Sequence, residues 1–492
     1  MIRPLKVVWF FTFVGIILTL SSLTLPKDGV EIAGFKIHLP SVESYFTKDT
    51  NSYADISQIV EQISDIDSLP DITQIIEAEK VNIDSSAMIN PEDTIKANAA
   101  KLAASIHKIE FGTKGKESLL KFFEKLNNKN TSNIRIMHYG DSQLEGDRIT
   151  SYIRNKLQKK YGGSGPGLLP ALQPYESYFS INQSNEGAWV RYPVFGKVNP
   201  IVKHNRYGPL AAFSRFAPIV PDSLFKDSIE YHASISFEES KLSYASVRKF
   251  QRIRLLYGNS KRAVEIKLMV NDTIIYIDSL KANTDLTVFE YKLKKPTKNL
   301  RIEFTGYDSP DIYGIALDGL KGVSMDNIGL RGSSGTIFRK MDYEHLQKAY
   351  KVLGVDMIIL QFGGNVMPYI KDTIQVVNYA RWFKSQIYTL QKMNPQIAII
   401  VLGPSDMSYK SGDKYITYPF LPLVRDELRK AAFQAGCGYW DIYEAMGGHN
   451  SMPSWVRSQP PLAGADYTHF TPRGAKLIAN MFYNALMYES IK

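Results

Sequence analysis

Cysteine is almost missing from this chain: Cys437, inside AAFQAGCGYW, is the only one among 492 residues. No intrachain disulfide can form, and the expected role of that thiol is buried packing. Metal-ligand spacings are missing too. No CxxC or HExxH occurs and the eight histidines are dispersed, so neither a metal site nor a cofactor is expected. Nor is there a dense stripe of one charge. The formal net charge is +10, but the lysines and arginines are scattered among acids, whereas a nucleic-acid footprint would be clustered. The excess suits a plain solvated surface or work beside an anionic polymer, and no nucleic acid is expected as a partner. A phosphate loop is lacking as well. GGSGPGLLPALQP, from Gly162 to Pro174, has no Lys-Ser/Thr ending and follows a helical pattern where a strand is required, so it reads as a connection between domains.

What is present is globular in kind. A composition of 44% hydrophobic, 12% aromatic and 22% charged residues supplies both a core and a soluble surface. The length exceeds what one core serves, so an N-terminal non-globular part and two globular units are expected. MIRPLK carries two basic residues and precedes VVWFFTFVGIILTLSSLTLP, an uncharged run over 7–26 that is about one bilayer crossing long at ~1.5 Å per residue. It reads as an uncleaved anchor with its basic end in the cytoplasm and the rest of the chain exported, or as a cleaved secretory signal, although no small-x-small cleavage site stands out. No cysteine follows the run, which excludes a lipoprotein anchor. Residues 27–92 are polar and read as a tether without a functional part.

Beyond the tether, helical spacing in IKANAAKLAASIHKIEFGTKGKESLLKFFEKLNN predicts helices near 94–109 and 115–127. IRIMHY, ending at Gly140, suits a buried parallel strand, and the stretch from Gln143 through LEGDRITSYIRNKLQKKY reads as one helix. Between about 175 and 320 the pattern changes to short alternating or β-branched runs, from AWVRYPVF to NLRIEFTGY, separated by turn signals. That is the signature of a β-sandwich, here inserted into the first unit. Afterwards GVSMDNIGLRG, VDMIILQFGGN, QIAIIVLGPSD and CGYWDIYEAM alternate with helices near 340–353, 373–393 and 421–435. Such alternation predicts a parallel sheet covered on both faces, with ligands gathered at the carboxyl ends of its strands.

Those ends carry chemistry. Gly140-Asp141-Ser142, Gly332-Ser333-Ser334 and Gly363-Gly364-Asn365 follow the first three strands, and Asp466-Tyr467-Thr468-His469 precedes a final helix with Pro472 near its first turn. A serine hydroxyl is a poor nucleophile at neutral pH; it needs an imidazole to take its proton and a carboxylate to hold that imidazole in the right tautomer. Ser142, His469 and Asp466 are the candidates. A D-x-x-H loop lets the carboxylate reach one ring nitrogen while the other faces the serine. Attack on an ester creates an oxyanion, which needs donors fixed in advance, worth about 3 to 4 kcal/mol each. The N–H of Ser142, the N–H of Gly332 and the side-chain amide of Asn365 are the candidate donors.

This order of Ser, Gly, Asn and His resembles the SGNH (GDSL-type) hydrolase superfamily. Ser142 matches its first block, Gly332 the second, with Gly329 and Gly335 as near neighbours, Asn365 the third, and Asp466 with His469 the fifth. Two departures stand out: the first block reads Gly-Asp-Ser-Gln, without the leucine of the older motif, and Val366 stands where many relatives carry an acid. Within the superfamily, HYGDSQLEGDRIT, IGLRGSSG and MGGHNSMPSWV…PPLAGADYTHFTPRGA resemble the blocks of bacterial peptidoglycan O-acetylesterases. The resemblance implies an α/β fold, a flavodoxin-like parallel sheet with helices on both faces, in two parts over 93–174 and 321–492. A carbohydrate-module-like β-sandwich at 175–320 interrupts it. It also implies hydrolysis of the 6-O-acetyl ester of N-acetylmuramic acid in peptidoglycan, through an acetyl-serine intermediate; the location expected from the N-terminal run, exported to the periplasm and membrane-anchored through residues 7–26, agrees with this independently.

Each of these motifs alone has a plain structural account, since Gly, Asp and Ser are ordinary turn residues and D-x-x-H suits a helix start; their joint order at the ends of one sheet favours catalysis. Ser405 is either a substrate contact or a turn residue, and His449 either borders the cleft or caps a loop. His138, on an apolar strand, is expected to be a packed core residue, and Asp141 to fix its turn through the backbone. Trp189, Tyr192 and Phe195 suit a β-sandwich core better than a sugar-stacking surface. Three functions compete: a peptidoglycan O-acetylesterase; an esterase or acetyltransferase on another polysaccharide; and a glycan-binding wall protein that uses the hydrolase fold as scaffold. A pure binder gains nothing from retaining Ser142, Asn365, Asp466 and His469 together.

Overall fold

A computed structural model describes residues 4–24, 30–32, 35–37, 53–61, 71–72, 106–128 and 133–490, except 222, 224, 226 and 227. Its centre is a sheet of six strands: β1 (Glu110–Phe111), β2 (Asn133–Gly140), β3 (Gly322–Gly329), β4 (Val355–Gln361), β5 (Ala398–Leu402) and β6 (Gly438–Trp440). They lie in the order β3-β2-β4-β5-β6-β1, and the first five are mutually parallel, with β1 antiparallel at the edge. Parallel pairing demands cover on both faces, and the side chains alternate accordingly. Met137, Tyr139, Ile358 and Leu360 point into one apolar cluster, while Ile136, Met357, Ile359 and Ile400 point into the other.

The helices supply that cover. Besides the N-terminal α1 (Pro4–Thr24), they are α2 (Lys116–Asn127), α3 (Thr150–Tyr161), α4 (Tyr343–Leu353), α5 (Thr373–Met393), α6 (Leu421–Gln434) and α7 (Pro472–Glu489). Leu346, Phe383 and Leu428 bring α4, α5 and α6 to the Tyr139 side; Phe122, Ile153 and Phe482 bring α2, α3 and α7 to the other. Short polar side chains set the boundaries: Asp342 caps α4 by accepting from the His345 N–H, and Thr471 caps α7 by accepting from the Gly474 N–H, with Pro472 following as the first helical residue.

Between α3 and β3 the chain builds two antiparallel sheets. One has the order 287–297, 250–258, 311–318, 212–215, 190–193, and the other 273–280, 264–270, 299–306, 231–239, 181–186. Ile253, Leu255 and Leu317 of the first meet Ile235, Ile266 and Ile302 of the second in a shared cluster. The first sheet is buried on its other face as well, where Phe213, Leu256 and Tyr313 join the Tyr139 cluster. Arg135 of β2 pairs with Asp326 of β3 and with Asp318, and Arg254 also binds Asp318 at 3.0 Å. Gly167–Leu169, expected to be connection, is a strand paired with 315–317. Gly165 and Gly167 permit this because their positive φ angles bring the backbone against 317–318 and 325 without a side chain in the way.

The single helix expected from Gln143 onward is split. Ser142–Asp147 is a tight 3-10 turn and α3 begins only at Thr150, because Gly146 and Asp147 take left-handed φ angles of 67° and Asp147 turns inward to pair with buried Arg154. The helix expected near 94–109 lies outside the described residues except for its last four, which are not helical. Parts of the expected tether are docked: Ala54 N–H donates to Asn450 O, Ile56 is buried, and Asp71 pairs with Lys156. Among the residues described, no helix is long and apolar enough to cross a membrane, so the expected anchor over 7–26 gains no support here.

Candidate active site

Because the five strands run parallel, their carboxyl ends share one edge, and Ser142 and Asn365 follow the adjacent strands β2 and β4. Between those two strands the chain changes direction across the sheet, the position at which open α/β sheets leave a crevice. Asp141 shapes the first turn. Its carboxyl accepts from the Gln143 N–H at 3.0 Å, and burial pushes it up to about 6. Ser142 is thereby turned outward at the sheet edge.

Ser142 Oγ lies 2.7 Å from His469 Nε2, and His469 Nδ1 lies 2.7 Å from Asp466 Oδ2. The other Asp466 oxygen accepts from the N–H groups of Thr468 and His469, each at 3.0 Å. Burial would raise the Asp466 carboxyl, but the N–H and ring of His469 outweigh it and hold the group below its usual range. A carboxylate so held fixes the proton on Nδ1 and leaves Nε2 free to accept from the serine.

Two residues that the sequence did not single out tie the histidine loop to the serine turn. The Gln143 amide donates to Thr468 O at 2.7 Å and accepts from the Phe470 N–H at 3.3 Å. Arg148 donates to Ser142 O at 2.6 Å and to Phe470 O at 3.2 Å. Neither had a local signal, since each is a polar residue in a stretch that reads as an ordinary amphipathic helix; only the return of the chain at 468–470 brings up the backbone atoms that let them bridge to the histidine loop.

Two hollows meet at Ser142. The smaller, about 80 Å³, is lined by Asp141, Phe362, Gly364, Pro404, Ser405 and Met407 together with Asn365 and His469. The larger is a groove of about 1330 Å³ that contains Ser142, Gly332, Asn365, Asp466 and His469 and runs on along Gln173–Gln183 and Ser240–Tyr244 of the antiparallel region. All five residues expected to form the catalytic and oxyanion set are thus brought together. Asn365 Nδ2 donates to Ser333 O at 3.1 Å, which couples the third motif to the second. Gly332 has φ 79°, and nothing lies within 4 Å of where its Cβ would be. Tyr175 pins the same loop, donating to Gly329 O at 2.7 Å, while Arg331 pairs with Glu145 of the serine turn at 2.9 Å.

The remaining candidates separate. Ser405 lines the small hollow, 3.4 Å from Gln143 Nε2. His449 lines neither hollow; it is exposed on the turn between the short helices Ile442–Ala445 and Ser451–Arg457, the loop position that was the alternative to a place at the cleft. His138 is fully buried between Gln361 and Thr150, and burial drives its pKa down to about 3. Trp189 packs on Phe216 and Phe304, and Tyr192 stacks on Phe213, so both are used by packing. Among the described residues no group of acids, histidines and cysteine is placed to hold a metal ion.

No family model and no curated protein matches the sequence. Among solved structures, the chain is similar to a peptidoglycan O-acetylesterase, with a TM-score of 0.58 and 19% identity over 76% of this chain and 96% of that one. That likeness shows a shared fold. Two looser matches carry no argument. One is a family 2 carbohydrate esterase with a carbohydrate-binding domain from Corynascus thermopiles (Myceliophthora fergusii), with TM-score 0.24 and 12% identity over 52% of this chain and 93% of that one. The other is a family two carbohydrate esterase from Clostridium thermocellum, with TM-score 0.22 and 10% identity over 60% and 97%.

Proposed function

We propose that the protein is an SGNH-type serine esterase that removes O-acetyl groups from a cell-wall glycan, most concretely the 6-O-acetyl group of N-acetylmuramic acid in peptidoglycan. The observation that carries this reading is the hydrogen-bonded chain Ser142–His469–Asp466, with both links at 2.7 Å, at the carboxyl edge of a parallel sheet. In this reading the sheet is flavodoxin-like and the two antiparallel sheets are a β-sandwich inserted in it. The protein works outside the cytoplasm, with 7–26 as its export or anchoring segment.

His469 Nε2 takes the Ser142 proton as Oγ bonds to the acetyl carbonyl carbon. The resulting oxyanion accepts from the Ser142 and Gly332 N–H groups and from Asn365 Nδ2. Collapse breaks the bond to the sugar oxygen, which leaves with the proton from Nε2, and the acetyl group stays on Ser142. Water, deprotonated by His469, then releases acetate and restores the serine. The two hollows support the substrate assignment: the hollow of about 80 Å³ suits a two-carbon acyl group, and the groove of about 1330 Å³ leaves room for a polymer.

Release of p-nitrophenol from its acetate ester tests the chemistry. Ser142→Ala and His469→Ala are expected to lose at least about 10³-fold in kcat; folded variants that match the wild type overturn the assignment. Acetate release from O-acetylated peptidoglycan, with base-treated wall as control, tests the substrate. Activity on the small ester with none on the acetylated wall would leave an esterase of another glycan or an acetyltransferase.

A further inference from the structure

The loop that carries Asp466 and His469 is gripped from outside the hydrogen-bonded chain. Tyr467, between the two, has φ 54°, a left-handed conformation that a bulky side chain rarely adopts and that persists only where its surroundings impose it. Here the surroundings are a small hairpin, Ser408–Ser411 paired with Lys414–Thr417. The Ser408 N–H donates to Tyr467 O at 3.0 Å, and the Tyr415 ring lies flat on the Tyr467 ring, with centroids 3.6 Å apart and planes 4° from parallel.

The hairpin is itself rooted. Thr417 Oγ1 donates to buried Asp406 at 2.8 Å, the Thr417 N–H donates to Asn450 Oδ1 at 2.9 Å, and the Asn450 N–H returns to Thr417 Oγ1 at 2.8 Å. Its base runs directly into Met407 and Ser405, which line the small hollow beside Ser142. One rigid piece therefore borders the acyl hollow at its base and presses on the histidine loop with its arm. Gln143 binds the same loop through Thr468 O.

We propose that Tyr415 is a positioning residue: stacked on Tyr467, it holds the 466–469 loop in the left-handed form that keeps His469 in line between Asp466 and Ser142. This rests on the esterase reading for its consequence in rate, but the geometry it claims can be read without any turnover. Tyr415 touches no reacting atom, so its loss acts on the step that needs an aligned imidazole and not on substrate binding.

The test uses the full chain with Tyr415→Ala, Tyr415→Leu and Tyr415→Phe. On p-nitrophenyl acetate the first two are expected to lower kcat about tenfold or more with KM within about twofold, and Phe, which keeps the ring, is expected to retain kcat. In proton NMR, the deshielded His469 Nδ1–H signal is expected to weaken in Ala and Leu and to persist in Phe. Retention of both kcat and that signal in Tyr415→Ala or Tyr415→Leu overturns the proposal, as does loss of both in Tyr415→Phe. Should the wild type and Ser142→Ala prove equally inactive, the esterase reading fails and the NMR signal alone still decides whether Tyr415 holds the loop. If Tyr415→Ala does not fold, Tyr415→Leu, which keeps apolar bulk, takes its place.

Discussion

Asp141 sits between a glycine that ends a strand and the serine that opens the site, and its environment gives it a second property. Burial raises its carboxyl from 3.8 to about 6, so the folded protein binds this proton more tightly than the unfolded chain does. Below about pH 3.8 both states are protonated; as pH rises toward 6 the unfolded chain ionises first, and the stability associated with this group falls across that window. Asp141→Asn keeps an oxygen for the Gln143 N–H and has no charge to bury. Its stability relative to wild type is expected to rise between pH 4 and pH 7.5, by up to about 3 kcal/mol. Urea denaturation at the two pH values measures this, and an equal offset at both contradicts it. At this scale Ser142, Asn365, Asp466 and His469 were legible in the sequence because each belongs to a short motif. Gln143 and Arg148 were not, because the bonds by which they hold the histidine loop run to backbone atoms more than 300 residues away.

Among the elements, the strands and helices of the central sheet were the most readable. A buried parallel strand is a continuous apolar run, and helices such as 373–393 and 421–435 repeat their apolar residues every three or four positions. The strands at Gly167–Leu169, Ala212–Arg215 and Asp311–Asp318 were missed. The first is three residues long among glycines; the others interleave buried aspartate, arginine and serine that pair only in the folded protein, as Arg215 does with Asp308 and Asp311. The segment after Gly167 also reaches the site. Tyr175 holds the β3 end through Gly329 O, three residues before Gly332. Tyr175→Phe removes only the hydroxyl and, on the proposed oxyanion role of Gly332, is expected to lower kcat about three- to tenfold, with a stability loss of about 1 kcal/mol. Steady-state kinetics and a denaturant melt separate the two effects; an unchanged kcat removes Tyr175 from the positioning of that loop.

For the molecule as a whole, the antiparallel region is continuous with the rest. One of its sheets is apolar on both faces, and Leu256 and Tyr313 share a cluster with Tyr139 and Tyr350. Buried charge crosses the same junction: Arg135 binds Asp326 and Asp318, and Arg254 joins Asp318. Burial alone would raise Asp318, but the Arg135 and Arg254 charges outweigh it and keep its carboxyl below the usual range. Removing one member of such a group strands the others. Arg135→Ala is expected to cost about 3 to 5 kcal/mol, and residues 133–490 of the wild type are expected to unfold in one transition. Tryptophan fluorescence and far-UV circular dichroism that separate into two transitions would show a detachable module instead.

The sequence by itself determined the alternation of strand and helix, the change to antiparallel patterning near the middle, and the identity of the residues on which the proposed acyl chemistry rests. These depend on periodicity and on residue type, which are local. Only the tertiary structure decided how those groups meet. The Ser142–His469 link joins residues 327 apart in the chain, and the left-handed Tyr467 under Tyr415 and the groove shared with the antiparallel sheets likewise bring separate segments together. Contacts of that span depend on strand order and on how the faces pack, and neither leaves a periodic mark in the chain.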